Sequence, residues 1–121
     1  MPKSKAQLST RVLRDMNVYA PDETPSSQDA AIVEDKYDEK IGEWRDDGLV
    51  YWPNGTTRTT EEIPDQVYGV IADLMENEVR NAFKGDNPPV QRMAQEVVLL
   101  SRLRKQLATR PSGESTPFSV F

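Results

Sequence analysis

Residues 26–48 read SSQDAAIVEDKYDEKIGEWRDDG, and the spacing of their apolar members allows one local structure. Ala30, Val33, Tyr37, Ile41 and Trp44 recur at intervals of three, four, four and three. At about 3.6 residues per turn they share one narrow helical face. Ser26 or Ser27 can accept from the first free amides as N-cap, and Gly48 can take the left-handed position that closes the helix. Any fold for this chain must therefore set something apolar against that stripe.

The other side of this helix is acidic. Asp35, Glu39, Glu43 and Asp47 stand at i, i+4 intervals, as do Glu34 and Asp38. Like charges so spaced destabilise a helix by roughly 0.2–0.5 kcal/mol per pair. Lys36 and Lys40, each three residues before a glutamate, offset part of that. The ridge is better placed opposite a basic neighbour than opposite water. A solvated acidic face is the plainer alternative.

The rest of the chain reads as three more helices. Residues 5–18 carry the stripe Leu8, Val12, Leu13 and Met16 behind a possible N-cap at Ser4, with Arg11 and Arg14 on another face. Residues 19–25, YAPDETP, hold two prolines and break the helix. Residues 49–62 form a long irregular link. Its LVYWP run suggests a short extended strand, and Pro53-Asn54-Gly55 a turn. Tyr51 and Trp52 there either cover the core or anchor an interface.

A third helix starts at Pro64 and stops at Gly85. Val67, Val70, Ile71, Leu74, Met75, Val79, Ala82 and Phe83 wrap more than half of it, which makes it central. A fourth helix spans about 89–108. Val90, Met93, Val97, Leu100 and Leu107 make one face, interrupted by Arg104, and Leu99 and Leu103 a second. Two apolar sides on a terminal helix mean either a deeply enclosed helix or contact with another subunit; in a chain this small the second is the expectation, with Leu99 and Leu103 on the contacting side. The expected fold class is all-α: a small bundle of four helices with a long irregular link and an extended C-terminal tail. Residues 1–108 form the helical domain and 109–121, TRPSGESTPFSVF, the tail. A tail that ends in Pro117, Phe118, Val120 and Phe121 either folds back on its own domain or docks on another protein, and docking is the expectation.

Composition narrows the chemistry. The net charge of −5 is segregated: residues 1–20 are basic, 21–65 strongly acidic and 66–121 nearly neutral. That suits a subunit packing its basic part on the acidic part of a copy of itself, and not a generic nucleic-acid binder. With no cysteine there are no disulfides and no thiolate chemistry, and with no histidine the commonest general base and metal ligand are missing. No P-loop or dinucleotide glycine pattern occurs. Glu34 with Asp38, or Glu39 with Glu43, could in principle act as the paired carboxylates of a peptidoglycan hydrolase. Their setting in a charged run lacks the apolar pocket that raises the pKa of a general acid. The expectation is a non-enzymatic protein without metal or cofactor. No apolar run approaches the roughly 20 residues that span a bilayer, and the basic N-terminus has no apolar segment behind it, so neither a membrane anchor nor a signal peptide is expected.

Residues 26–49 resemble the corresponding segment of the tail-accessory, or packaged-DNA-stabilisation, proteins of short-tailed phages. The shared pattern is Gln28, Asp29 and Ala30 at the helix entry, an acidic amphipathic helix, Glu43-Trp44, and Asp47-Gly48. The preceding QLSTRVLRDMNV is similar to that family's first helix. This chain is shorter, with a brief C-terminal tail. The resemblance implies a head-to-tail adaptor in the virion: a subunit that assembles, usually as a dodecameric ring, beneath the portal protein to seal the packaged DNA. A downstream tail or nozzle protein would bind below, and DNA would pass through without sequence-specific contact. On that reading the ridge Asp35, Glu39, Glu43 and Asp47 faces Arg11, Arg14, Arg102 or Lys105 of a neighbour, and residues 117–121 reach the portal. A small acidic regulatory or binding protein is the alternative.

Overall fold

A computed structural model describes residues 2–20, 22–54, 57–85 and 87–108. Four helices carry the fold: α1 (Lys5–Asp15), α2 (Ser27–Asp46), α3 (Asp65–Phe83) and α4 (Pro89–Ala108). A two-stranded antiparallel sheet joins β1 (Lys3–Ser4) to β2 (Glu61–Ile63), with Lys3 opposite Ile63. The all-α bundle expected from the sequence is the observed fold class. The residues assigned to the tail lie outside those described.

Each helix end has a local cause. Ser4 and Gln7 form a reciprocal capping box at α1, the Ser4 hydroxyl accepting from the Gln7 amide and the Gln7 side chain from the Ser4 amide. α1 stops at Asp15, three residues short of the expected end, because Asn17 turns left-handed (φ 62°) and the Val18 amide bonds back to the Leu13 carbonyl. Ser26 caps α2 by accepting from the Asp29 amide, and Gly48 (φ 77°) closes it. α3 follows Pro64 and ends before Gly85 (φ 69°).

α3 is the central element. It packs on α1, α2 and α4, and Val67, Val70, Ile71, Leu74 and Met75 are fully enclosed. Leu8, Val12 and Leu13 of α1 and Val33, Tyr37, Ile41 and Trp44 of α2 close on it from two sides. At roughly 1.5–3 kcal/mol per large apolar side chain buried, this cluster holds the helices, since most helical stability in a protein comes from packing of the apolar face.

The LVYWP run is not a strand. Val50 and Trp52 alternate inward and are buried, while Tyr51 points out. The alternation expected of a strand is present, but among the described residues no strand pairs with it, and the segment packs on the helices as extended chain. The Trp52 indole donates to the buried Tyr37 hydroxyl, which settles Trp52 as core cover. The strand that does form, β2, lies at the end of the link.

Candidate assembly surfaces

Beneath the surface, charges are paired across helices. Glu34 of α2 is buried and accepts both Nε and Nη2 of Arg58, the closer contact at 2.7 Å, and the Ser9 hydroxyl of α1 at 2.9 Å. Asp38 accepts from Lys5 at 2.8 Å and from Asn54 at 3.0 Å. The two carboxylates weighed as a hydrolytic pair thus tie α1 and the link to α2.

A second charged seam joins α2, α3 and α4. Lys40 reaches Glu96 at 3.2 Å, Glu43 at 3.6 Å and Glu78 at 3.7 Å, and Arg92 contacts Glu78 at 3.4 Å. Burial raises the Glu78 pKa above its usual value and the adjoining Glu96 carboxyl raises it further, against the pull of Lys40 and Arg92. Burial acts to lower the Lys40 pKa, but Glu78 and Glu96 outweigh it and the net shift is upward. A raised carboxyl is a common mark of catalysis, yet the Glu78 side chain is only 2% exposed and a polymeric substrate cannot reach it. The sequence reading missed this seam. Its signal was a glutamate between Met75 and Val79, on the apolar side of α3.

The outer side of α2, turned away from the core, presents Ile32, Asp35, Glu39, Gly42, Glu43 and Asp46, all exposed, with Asp47 just beyond the helix end. Lys36 contacts Glu39 at 3.3 Å, so the ridge is only partly neutralised. Among the described residues, no ion pair reaches Asp35, Asp46 or Asp47.

The expected basic partners are differently placed. Arg11 lies 3.4 Å from Asp15 and 5.1 Å from the Tyr68 ring centre, and Arg14 donates to the Glu23 carbonyl. Arg102 pairs with Asp73 of α3 at 3.0 Å. Arg104 and Lys105 stand exposed on the outer side of α4. A polar groove of about 310 Å³ between α3 and α4 is bordered by Asp73, Glu76, Arg80, Gln91, Gln95 and Arg102.

The apolar faces of α4 need correction. Leu99 and Leu103, expected at a subunit contact, are 5% and 0% exposed and belong to the chain's own core. The uncovered face is the other one: Val90 is 82% exposed, Val97 67%, and Met93 and Val98 59% each. Leu100 and Leu107 flank the core between the two. The inward row runs Arg92, Glu96, Leu99, Leu103, so its first half is charged and consumed by the seam with Lys40 and Glu78. Those two charged residues disguised the inward side.

No protein-family model, curated protein or solved structure matches the chain. No helix among the described residues is long and apolar enough to cross a membrane.

Proposed function

We propose that this chain is a non-enzymatic connector subunit that assembles with copies of itself into a ring at the head-to-tail junction of a short-tailed phage virion. The observation that carries the assembling part is the row Val90, Met93, Val97 and Val98, an apolar surface on a helix whose opposite side is already in the core. A monomer gains nothing from such a row, whereas a subunit contact does. The acidic ridge on α2 supports the same reading, since segregated charge favours head-to-tail contact between identical subunits. The resemblance of residues 26–49 to tail-accessory proteins supports the connector part. The ring sits beneath the portal protein, which residues 117–121 would engage, and a tail or nozzle protein binds below.

Electron microscopy of the purified chain mixed with portal rings tests this. A closed ring of added subunits on the portal is the expected result. A chain that leaves portal rings bare at saturating concentration overturns the connector reading. The acidic face of α2 also favours a second reading, a small binding protein for a basic partner. Capture of a basic protein by a persistent monomer would select it.

A further inference from the structure

We propose that residues 114–121, ESTPFSVF, fold back along the outer face of α4 in the free chain and cover its apolar row, with Glu114 at Arg104 and Phe118 over Val97 and Val98. The contact stands on these two surfaces alone; its release by the portal, argued below, rests on the connector reading.

The row stands apart from the rest of the surface. Six large apolar side chains are exposed among the described residues, and four of them, Val90, Met93, Val97 and Val98, lie together on α4. The other two, Ile32 and Tyr51, stand singly on α2 and in the link. Scattered apolar residues need no cover, whereas a contiguous row marks a docking surface.

The segment beyond the described residues follows α4 directly and carries Phe118, Val120 and Phe121. Phe118 is ten residues after Ala108, and Val98 is ten residues before it. At about 1.5 Å per residue, the helical path from Ala108 back to Val98 is about 15 Å. A flexible tether of ten residues spans roughly 16–19 Å. A tether whose natural span matches the distance to be crossed gives the highest effective concentration, of order millimolar. A contact too weak to join separate chains is then populated within one. Pro111, Ser112 and Gly113 supply the turn residues for the reversal.

Charge fixes the same register. Arg104 is exposed two turns beyond Val97, on the same stripe of α4, and no carboxylate engages it among the described residues. Glu114 is the one acid in residues 109–121. In an extended segment Glu114 and Phe118 are about 13 Å apart and face the same way. Arg104 and Val97 are about 10.5 Å apart, a difference that an arginine side chain spans. Val120, about 7 Å past Phe118, then falls on Met93, about 6 Å before Val97. Running the segment parallel to α4 would place Glu114 near Pro88, about 30 Å from Ala108. Six residues extend only about 20 Å, so the antiparallel return is the one the chain can make.

In the proposed assembly the portal takes residues 117–121, and one segment cannot occupy both places. Capture by the portal therefore uncovers Val90, Met93, Val97 and Val98, and the row becomes available to a neighbouring subunit only where a portal is present.

The full-length chain has no cysteine, so Thr116→Cys with Ser101→Cys reports the contact. Thr116 shares the side of the segment that carries Glu114 and Phe118, and Ser101 is exposed between Val97 and Arg104. The intramolecular disulfide, titrated in glutathione buffers, gives the effective concentration of the two thiols. Phe118→Ser and, separately, Val97→Ser should each lower it about tenfold or more, with circular dichroism unchanged because neither position belongs to the core. Equal values with and without Phe118→Ser overturn the contact and leave the connector reading to the portal experiment. Disulfide-linked dimers at micromolar concentration, in place of the intramolecular bond, overturn it in favour of a second copy as occupant. Portal rings should lower the effective concentration by a similar factor. Rings that bind the chain without lowering it overturn the release, whereas rings that stay bare overturn the connector reading and leave the contact intact.

Discussion

The Trp52 indole N–H donates to the Tyr37 hydroxyl at 3.1 Å, joining the irregular link to the middle of α2. Both rings are buried, and burial, the largest influence, pushes the Tyr37 pKa up to about 12. Trp52→Phe keeps most of the ring but leaves the Tyr37 hydroxyl without its donor. The expected loss is about 1–3 kcal/mol, the cost of an unsatisfied buried polar group plus some cavity. Urea denaturation measures it, and an unchanged midpoint would show that the bond contributes nothing.

Tyr37 also sets an alkaline limit. Its folded pKa lies above the unfolded value of 10.0, so the folded chain holds the phenolic proton more tightly. Stability from this group is complete below pH 10 and declines as pH rises through about 12. Lys40, raised from 10.5, acts in the same direction. Tyr37→Phe should flatten the decline without abolishing it, as read from denaturation midpoints on the alkaline side.

At acid to neutral pH the sign follows Glu78. Its pKa is raised from 4.5, so the folded state binds more protons than the unfolded state just above that value. Stability is greatest below pH 4.5 as far as this group is concerned, and falls as pH rises through the shifted pKa. Glu76, whose pKa burial also raises, adds to the fall. Glu78→Gln should therefore reduce the slope of stability against pH and leave the share of Glu76. A slope equal to that of the wild type would show that Glu78 titrates normally.

Much of this fold was legible because the helices obey periodicity. Ala30, Val33, Tyr37, Ile41 and Trp44 are all buried, as their spacing requires, and Gly48 and Gly85 stop their helices with positive φ. What was not legible depended on pairing across long separations. The contact between β1 and β2 joins residues nearly sixty positions apart through strands of two and three residues, too short to leave a pattern. The inward side of α4 was hidden for a different reason: Arg92 and Glu96 look like surface residues until Lys40 and Glu78 are set beside them. The exposed apolar row was visible as a row, but only burial could decide which of two rows lay outside.

Arg58 supplies a test of the α1–α2 junction. Its Nε and Nη2 both donate to the buried Glu34, and it is itself about half exposed. Arg58→Ala should cost about 1–2 kcal/mol, less than a fully buried pair because water reaches the guanidinium side. The Ser9 hydroxyl still donates to Glu34, so Ser9→Ala in the Arg58→Ala background should cost more than in the wild type. A double-mutant cycle measures the coupling, and strict additivity would show that the two donors act independently.

The turn before α4 decides how firmly its apolar row is presented. Asn87 is buried and donates to both the Asn77 carbonyl and the Asn77 side-chain oxygen at 3.0 Å. Its backbone is gripped by Asn81, whose side chain accepts the Asn87 amide at 2.9 Å and donates to the Asn87 carbonyl at 2.6 Å. Asn77 in turn donates to the Arg92 carbonyl in the first turn of α4. Three asparagines thus do what a longer apolar contact would do elsewhere, because the inward row of α4 starts with Arg92 and Glu96 rather than leucine. Asn87→Ala removes both side-chain bonds and should cost about 1–2 kcal/mol. The loss should be local. Leu99 and Leu103 keep the second half of α4 in the core, so amide exchange should speed up over residues 89–97 and stay slow over 99–107 and in α2. Uniform acceleration across all four helices would mean instead that the asparagine turn belongs to the global folding unit.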